Sequence, residues 1–147
     1  MPNQDNSPFS RLTDDFLVAA QLTTADIAKA KSAGVALIIN NRPDGEEPGQ
    51  PRGEAIAAAA AEEGIRYVEI PIGRTGVTAK HLDDFEAATS TGARTLAYCR
   101  SGMRSTIVWA MAKARTGGEI DQLVEQAAAA GYDISAQRRL LEAAKSG

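Results

Sequence analysis

Residues 95–115 read TLAYCRSGMRSTIVWAMAKAR. The apolar β-type run TLAYC ends on Cys99 and passes through Arg100, Ser101, Gly102, Met103 and Arg104 into a helical pattern from Ser105 to Arg115. Within that pattern Ile107, Val108, Trp109, Ala110 and Met111 are consecutive and apolar, which predicts a helix buried nearly all round. A cysteine therefore stands where a strand gives way to a helix N-terminus. In a parallel sheet this is the carboxyl end, where ligands bind. Backbone N–H groups of residues 100–105 can curl round the sulfur, and the unpaired N–H groups of the helix start add partial positive charge.

Working outward, a helix-like segment three times ends in glycine and runs within a few residues into a β-type stretch: Gly34 before ALIIN, Gly64 before RYVEIPI, Gly92 before RTLAYC. Glycine in the left-handed position closes a helix, so this is the grammar of short αβ loops. The first helix opens at Thr23 or Thr24 as N-cap, after a short strand around FLVAA. Strands alternating with helices predict an α/β fold, a mainly parallel sheet of four to five strands flanked by helices, because parallel neighbours need crossovers. Two further helices, Glu119 to Ala130 and Ile134 to Lys145, are expected to cover one sheet face. Residues before Phe9, Arg42 to Arg52 and Gly73 to Val77 read as loops, giving one domain over 9–147 with a flexible 1–8.

Composition removes several classes of function. A chain of 147 residues with 44% hydrophobic content builds one core, and 16 Lys+Arg against 19 Asp+Glu leaves a net charge of -3, without the basic excess nucleic acid binding needs. One cysteine and one histidine exclude a disulfide framework and a zinc cluster within the chain, so neither metal nor cofactor is expected. The start MPNQDNSPFS has no apolar targeting core, and the Ala57 to Ala61 run is far short of the ~20 residues a bilayer requires, so a cytoplasmic protein without membrane contact is expected. His81 falls in the first turn of a helix capped by Thr78 and is expected to be exposed; Trp109 and Met111 are expected in the core.

The chemistry concentrates on Cys99 as nucleophile. Helix N-termini and nearby arginines lower a thiol pKa, and Arg100 and Arg104 flank this one. Arg104, at the helix start, is placed to hold an oxyanion bidentately; Arg100 is the weaker candidate. Ser101, Gly102, Met103 and Ser105 complete the anion-binding loop, with Ser105 either donating to the thiolate or capping the helix. From the second loop, Arg42 is a candidate for the substrate anion, and Asp44 for orienting Arg104 or serving as an acid; a Pro-Asp-Gly turn with solvated charges is the simpler alternative.

YCRSGMRS resembles the active-site loop of rhodanese-type sulfurtransferases, with four residues between Cys99 and Arg104. The succession FSRLTDDFLVAA, ALIINNRPDGEEPGQP, RYVEIPI and LAYCRSGMRSTIVWA resembles the beta-lactamase hydrolase-like or DUF442 family over about residues 9–115. That resemblance implies a dual-specificity phosphatase fold, Cys99 as nucleophile, residues 100–104 as anion loop and Arg104 as the loop arginine. Two departures stand out. Tyrosine-type phosphatases carry one more residue between Cys and Arg, and they place an acidic residue in the loop that is here Gly73-Arg74-Thr75-Gly76-Val77. A phenol of pKa ~10 leaves slowly without such an acid, which is worth ~10²–10⁴ in rate. The leading expectation is therefore a rhodanese-like sulfurtransferase working through a Cys99 persulfide, with a small anionic sulfur donor such as thiosulfate or a low-molecular-weight persulfide and a thiol acceptor. The rivals are a cysteine phosphatase working through phosphocysteine, and a non-catalytic anion or persulfide sensor or interaction module.

Overall fold

The computed structural model describes residues 9–147; the expected flexible stretch 1–8 lies outside them. The chain runs β1 (Phe9–Thr13), β2 (Phe16–Ala19), α1 (Thr24–Ser32), β3 (Leu37–Asn40), α2 (Gly53–Glu62), β4 (Arg66–Glu69), α3 (Ala79–Thr89), β5 (Thr95–Tyr98), α4 (Met103–Arg115) and α5 (Ile120–Ala129). A 3-10 turn, Ser135–Gln137, then leads into α6 (Arg138–Ser146). The five-stranded sheet has the order β1-β2-β5-β3-β4. Its inner pairs are parallel, while β1 joins β2 as an antiparallel edge hairpin.

Alternation of side chains along the strands separates two cores. Val18, Leu37, Ile39 and Ala97 face one side with Leu82, Phe85, Val108, Trp109 and Leu141. Leu17, Ile38, Leu96 and Tyr98 face the other with Ile27 and Ile56. Each buried Ile or Leu is worth roughly 1.5–3 kcal/mol, so β3, whose Leu37, Ile38 and Ile39 are wholly buried, is anchored from both faces.

The helices closed by Gly34, Gly64 and Gly92 end as the sequence predicts, each glycine having positive φ. Thr23 caps α1 and Thr78 caps α3. At α3, His81 takes the place of the usual Glu in the capping box: Thr78 Oγ1 accepts from the His81 N–H at 3.3 Å, and the Thr78 N–H donates to His81 Nδ1 at 2.9 Å. Trp109 and Met111 are buried as expected.

Two boundaries differ from the sequence reading. α4 starts at Met103 rather than Ser105, because Gly102 itself forms the N-cap at φ 97°. The last helix begins at Arg138, since Asp133 Oδ1 accepts from the Ser135 N–H at 2.9 Å and from its hydroxyl at 2.6 Å, holding a tighter turn first. α6 packs mainly on α4, which lies between it and the sheet, and α5 reaches the β1 edge, so the two helices cover that face only in part. Among the described residues no helix is long and apolar enough to cross a membrane.

The register sets up the site. Asn40 on β3 lies opposite both Tyr98 on β5 and Glu69 on β4, so these strands end level. The Asn41 N–H donates to Tyr98 O at 2.8 Å, and the Cys99 N–H to Ala19 O at 3.4 Å. Chain leaving β3 and chain leaving β5 therefore rise side by side.

Candidate active site

Cys99 is fully buried at the floor of the loop, and its Sγ accepts a hydrogen bond from the Gly102 N–H at 3.1 Å. Only glycine suits position 102: φ is 97°, and an added Cβ would collide with the Tyr132 hydroxyl. Tyr132 in turn donates to Ser101 O at 3.0 Å, so a side chain between α5 and α6 braces the loop from outside. The Ser101 hydroxyl accepts from the Met103 N–H at 3.2 Å, and Met103 is half-buried against the core.

Ser105 does neither of the things proposed for it from sequence. It lies inside α4, wholly buried, and its hydroxyl donates to Asn41 Oδ1 at 2.8 Å. Asn41 Nδ2 donates onward to Ile70 O at 2.9 Å. With its one proton committed to Asn41, Ser105 ties α4 to the β3 loop instead of touching the sulfur.

Arg104 projects toward the β3 loop and meets Glu46 as a two-pronged pair, Nη1 to Oε2 at 2.7 Å and Nη2 to Oε1 at 2.8 Å. Nη1 also donates to Ile72 O at 2.8 Å. These three bonds fix the guanidinium plane, and its charge is also strengthened by the neighbouring Cys99 sulfur. The Glu46 carboxyl is pulled down to about 2, first by the Arg104 hydrogen bonds and further by Arg42, with burial opposing both.

Arg42 has a side chain only 3% exposed. Its Nε donates to Glu46 Oε1 at 2.9 Å, Nη2 to Glu47 Oε1 at 2.7 Å and Nη1 to Gln21 Oε1 at 3.0 Å. Burial works against its charge, and the hydrogen bonds it donates to Glu47 and Glu46 outweigh that, holding its pKa above the ordinary arginine value. Arg42 is thus an organiser of carboxylates with little left for a substrate. Asp44, a candidate from sequence for orienting Arg104 or for proton transfer beside the simpler reading as a turn residue, accepts from the Gly53 N–H at 2.8 Å and fastens the start of α2. Glu46 holds Arg104. Three carboxylates in NRPDGEE compete for that role, and nothing in their spacing selects one. The only local hint is the i,i+4 relation of Arg42 and Glu46.

Above the sulfur loop opens a cavity of about 510 Å³ whose lining includes Arg42, Arg74, Arg100, Arg104, Glu46 and Glu47. Arg74 comes from the 73–77 loop, which the sequence reading noted only for its lack of a carboxylate. Arg100 is largely exposed, with Nε 3.5 Å from Glu47 Oε1. The structure thus brings Cys99, Arg100, Gly102 and Arg104 together and adds Glu46, Glu47 and Arg74. The four arginines make the cavity suited to a small, highly charged anion. Among the described residues no cluster of His, Cys, Asp and Glu could hold a metal ion.

Comparison with known proteins agrees with this architecture. Residues 8–116 match the family described as beta-lactamase hydrolase-like protein, phosphatase-like domain. A beta-lactamase hydrolase-like protein of Xylella fastidiosa is 30% identical over 125 residues, covering 84% of this chain but only 29% of the relative. Among solved structures, a candidate phosphatase of Neisseria meningitidis superimposes with a TM-score of 0.81 at 29% identity, covering 92% of this chain and 96% of the other. A candidate dual specificity phosphatase of mouse, solved with zinc tungstate, gives a TM-score of 0.69 at 18% identity, covering 99% of this chain and 91% of that one, a likeness of fold. The phosphatase-like architecture is as the sequence resemblance implied. Family and structural neighbours alike favour the cysteine phosphatase over the sulfurtransferase that led the sequence reading.

Proposed function

This chain belongs to the family of beta-lactamase hydrolase-like proteins, phosphatase-like domain, and from that premise we propose that it is a cysteine-dependent phosphatase acting on a small anionic substrate. One observation carries the reading: a buried thiol, Cys99, takes a backbone N–H from its own loop at 3.1 Å, and Arg100 and Arg104 of that loop line an arginine-rich cavity. In this reaction the Cys99 sulfur attacks phosphorus; the S–P bond forms as the P–O bond to the leaving group breaks, the departing oxygen keeping the electron pair. Water then attacks phosphorus, the S–P bond breaks, and phosphate leaves with the sulfur restored. Loop N–H groups and Arg104 Nε, the one guanidinium nitrogen that neither Glu46 nor Ile72 takes, stabilise charge on the phosphoryl oxygens. Chemistry that depends on one free thiol suits a reducing compartment such as the cytoplasm.

A second reading, persulfide-based sulfur transfer, is favoured by the four residues between Cys99 and Arg104. One residue fewer removes up to ~3.5 Å of loop contour and one inward N–H. Intact-mass measurement after rapid quenching separates the readings. Nitrophenyl phosphate should leave one phosphoryl group on Cys99, and Cys99→Ser should lower turnover by about 10⁴-fold or more. A gain of one sulfur atom from thiosulfate, with no phosphoryl adduct and no phosphate release, would replace the phosphatase by the sulfurtransferase.

A further inference from the structure

The carboxylates at the cavity are both committed. Glu46 offers both oxygens to Arg104 and one of them also to Arg42. Glu47 Oε1 accepts from Arg42 Nη2 at 2.7 Å and lies 3.5 Å from Arg100 Nε. Arg42 and Arg104 hold Glu46 far below the usual carboxylate range, and Arg42 with Arg100 also lowers Glu47, so both are ionised at neutral pH. The third acidic side chain of this loop, Asp44, is bonded to the start of α2 and lines a separate cavity with Glu69 and Pro71. His81 is tied into the α3 cap. Among the described residues the lining of the mouth thus supplies no proton donor for a leaving group.

What it supplies is positive charge. Arg74 lines the cavity, is exposed, and its side chain makes no hydrogen bond or ion pair among the described residues. The Arg100 side chain is 69% exposed, and its one ion pair among the described residues is the loose one from Nε to Glu47 Oε1 at 3.5 Å. Arg42 is taken up by carboxylates and Gln21, and Arg104 keeps only part of its guanidinium free for the phosphoryl group under attack, whereas these two guanidinium groups remain open to a further part of the ligand.

We propose that the substrate is a phosphoanhydride, a terminal phosphoryl group joined to a second phosphate, with Arg74 and Arg100 receiving the phosphate that leaves. This deepens the phosphatase reading and rests on it. The chemistry balances without an acid: sulfur bonds to the terminal phosphorus, the bridging P–O bond breaks, and the bridging oxygen carries the electron pair away as part of a phosphate anion. A phosphate group has a second pKa of about 6 and a phenol one of about 10, so the anhydride's leaving group departs as the anion where the phenol needs a proton. General-acid help is worth ~10²–10⁴ for such phenols; the described residues at this mouth offer none, and the selectivity for anhydrides follows from that difference.

The test compares kcat/KM for inorganic tripolyphosphate, phenyl phosphate and a phosphotyrosine peptide with the wild-type chain and Arg74→Ala. Tripolyphosphate should exceed phenyl phosphate by about 10²-fold, and Arg74→Ala should reduce that preference by about 10-fold. Equal or better turnover of the phenyl ester or the phosphopeptide overturns the anhydride assignment while leaving the phosphatase reading standing. A preference unchanged in Arg74→Ala overturns the role given to that arginine. If no phosphate compound is turned over and thiosulfate converts Cys99 to a persulfide, the phosphatase reading itself has failed and takes the anhydride with it. Circular dichroism of Arg74→Ala establishes that the variant is folded, as expected for an exposed loop side chain.

Discussion

The loop that leaves β5 and the loop that leaves β3 start level on neighbouring strands and meet over the same cavity, yet they are held in different ways. The first is short and shaped by its backbone: Gly102 at positive φ turns an N–H onto Cys99, and Tyr132 presses on the loop from outside. The second runs from Asn41 to Arg52 with no regular structure and is shaped by side chains, with Arg42 gripping Gln21, Glu46 and Glu47 and Asp44 reaching Gly53. One loop carries the thiol to which the proposed reaction gives the attack. The other carries the groups that aim the arginine beside it.

The comparison can be broken most severely at the point where the loops meet. Arg104→Lys is expected to lower kcat/KM by about 10²–10³-fold, because a point charge cannot satisfy Glu46 through two parallel bonds and still face an oxyanion. Arg100→Lys should cost less than ~10-fold, as Arg100 is exposed and bound only loosely. Steady-state kinetics on the two variants orders them, and a larger loss at Arg100 would reverse their roles.

Glu46→Gln tests whether the β3 loop positions rather than reacts. The amide keeps one acceptor for Arg104 but loses the two-pronged charged pair, so a fall of about 10-fold in kcat is expected. Glu46→Asp, which retains the charge with a shorter reach, should restore part of it. An unchanged kcat in Glu46→Gln would show that Arg104 needs no orientation from this loop.

The same carboxylate predicts a pH effect on stability. Its folded-state pKa lies near 2 against an ordinary value of 4.5, so the stabilisation it gives is fully present above about 4.5 and is lost as pH falls toward 2. Thermal melts between pH 6 and about 2.5 should show a shallower loss of Tm in Glu46→Gln than in the wild-type chain. Parallel curves would remove Glu46 from the acid-sensitive set.

The smallest expected effect is at Asp44. Asp44→Asn should change kcat by less than about 2-fold and cost roughly 0.5–1.5 kcal/mol, since it weakens one charged hydrogen bond at the start of α2. A substantial loss of turnover would mean that Asp44 leaves Gly53 during the reaction.

Much of this arrangement is legible in the chain because it is local. The helix-closing glycines, the caps at Thr23 and Thr78, and the strand-to-helix turn at Cys99 are all specified within a few neighbouring residues. The antiparallel β1 was harder to see: FSRLT shows no clean alternation, and its place depends on an edge of β2 being free to pair. The support for a phosphatase over a sulfurtransferase likewise rests on the family match and the likeness of the whole fold, since the loop motif by itself leans the other way.

By itself, then, the sequence determined the α/β alternation and the placing of a cysteine and an arginine at a strand-to-helix turn, because backbone propensity and helix-end geometry act over distances of a few residues. Tertiary structure alone decided which carboxylate holds Arg104, that Ser105 serves Asn41, that Asp44 serves α2, and that Arg74 faces the cavity. Those pairings join residues far apart in sequence, Glu46 and Arg104 or Asn41 and Ser105, and arise only once β3 and β5 lie side by side with their ends level. The physical reason is that charges and hydrogen bonds act through space, and the packing of two strands determines which of several chemically equivalent side chains comes within reach.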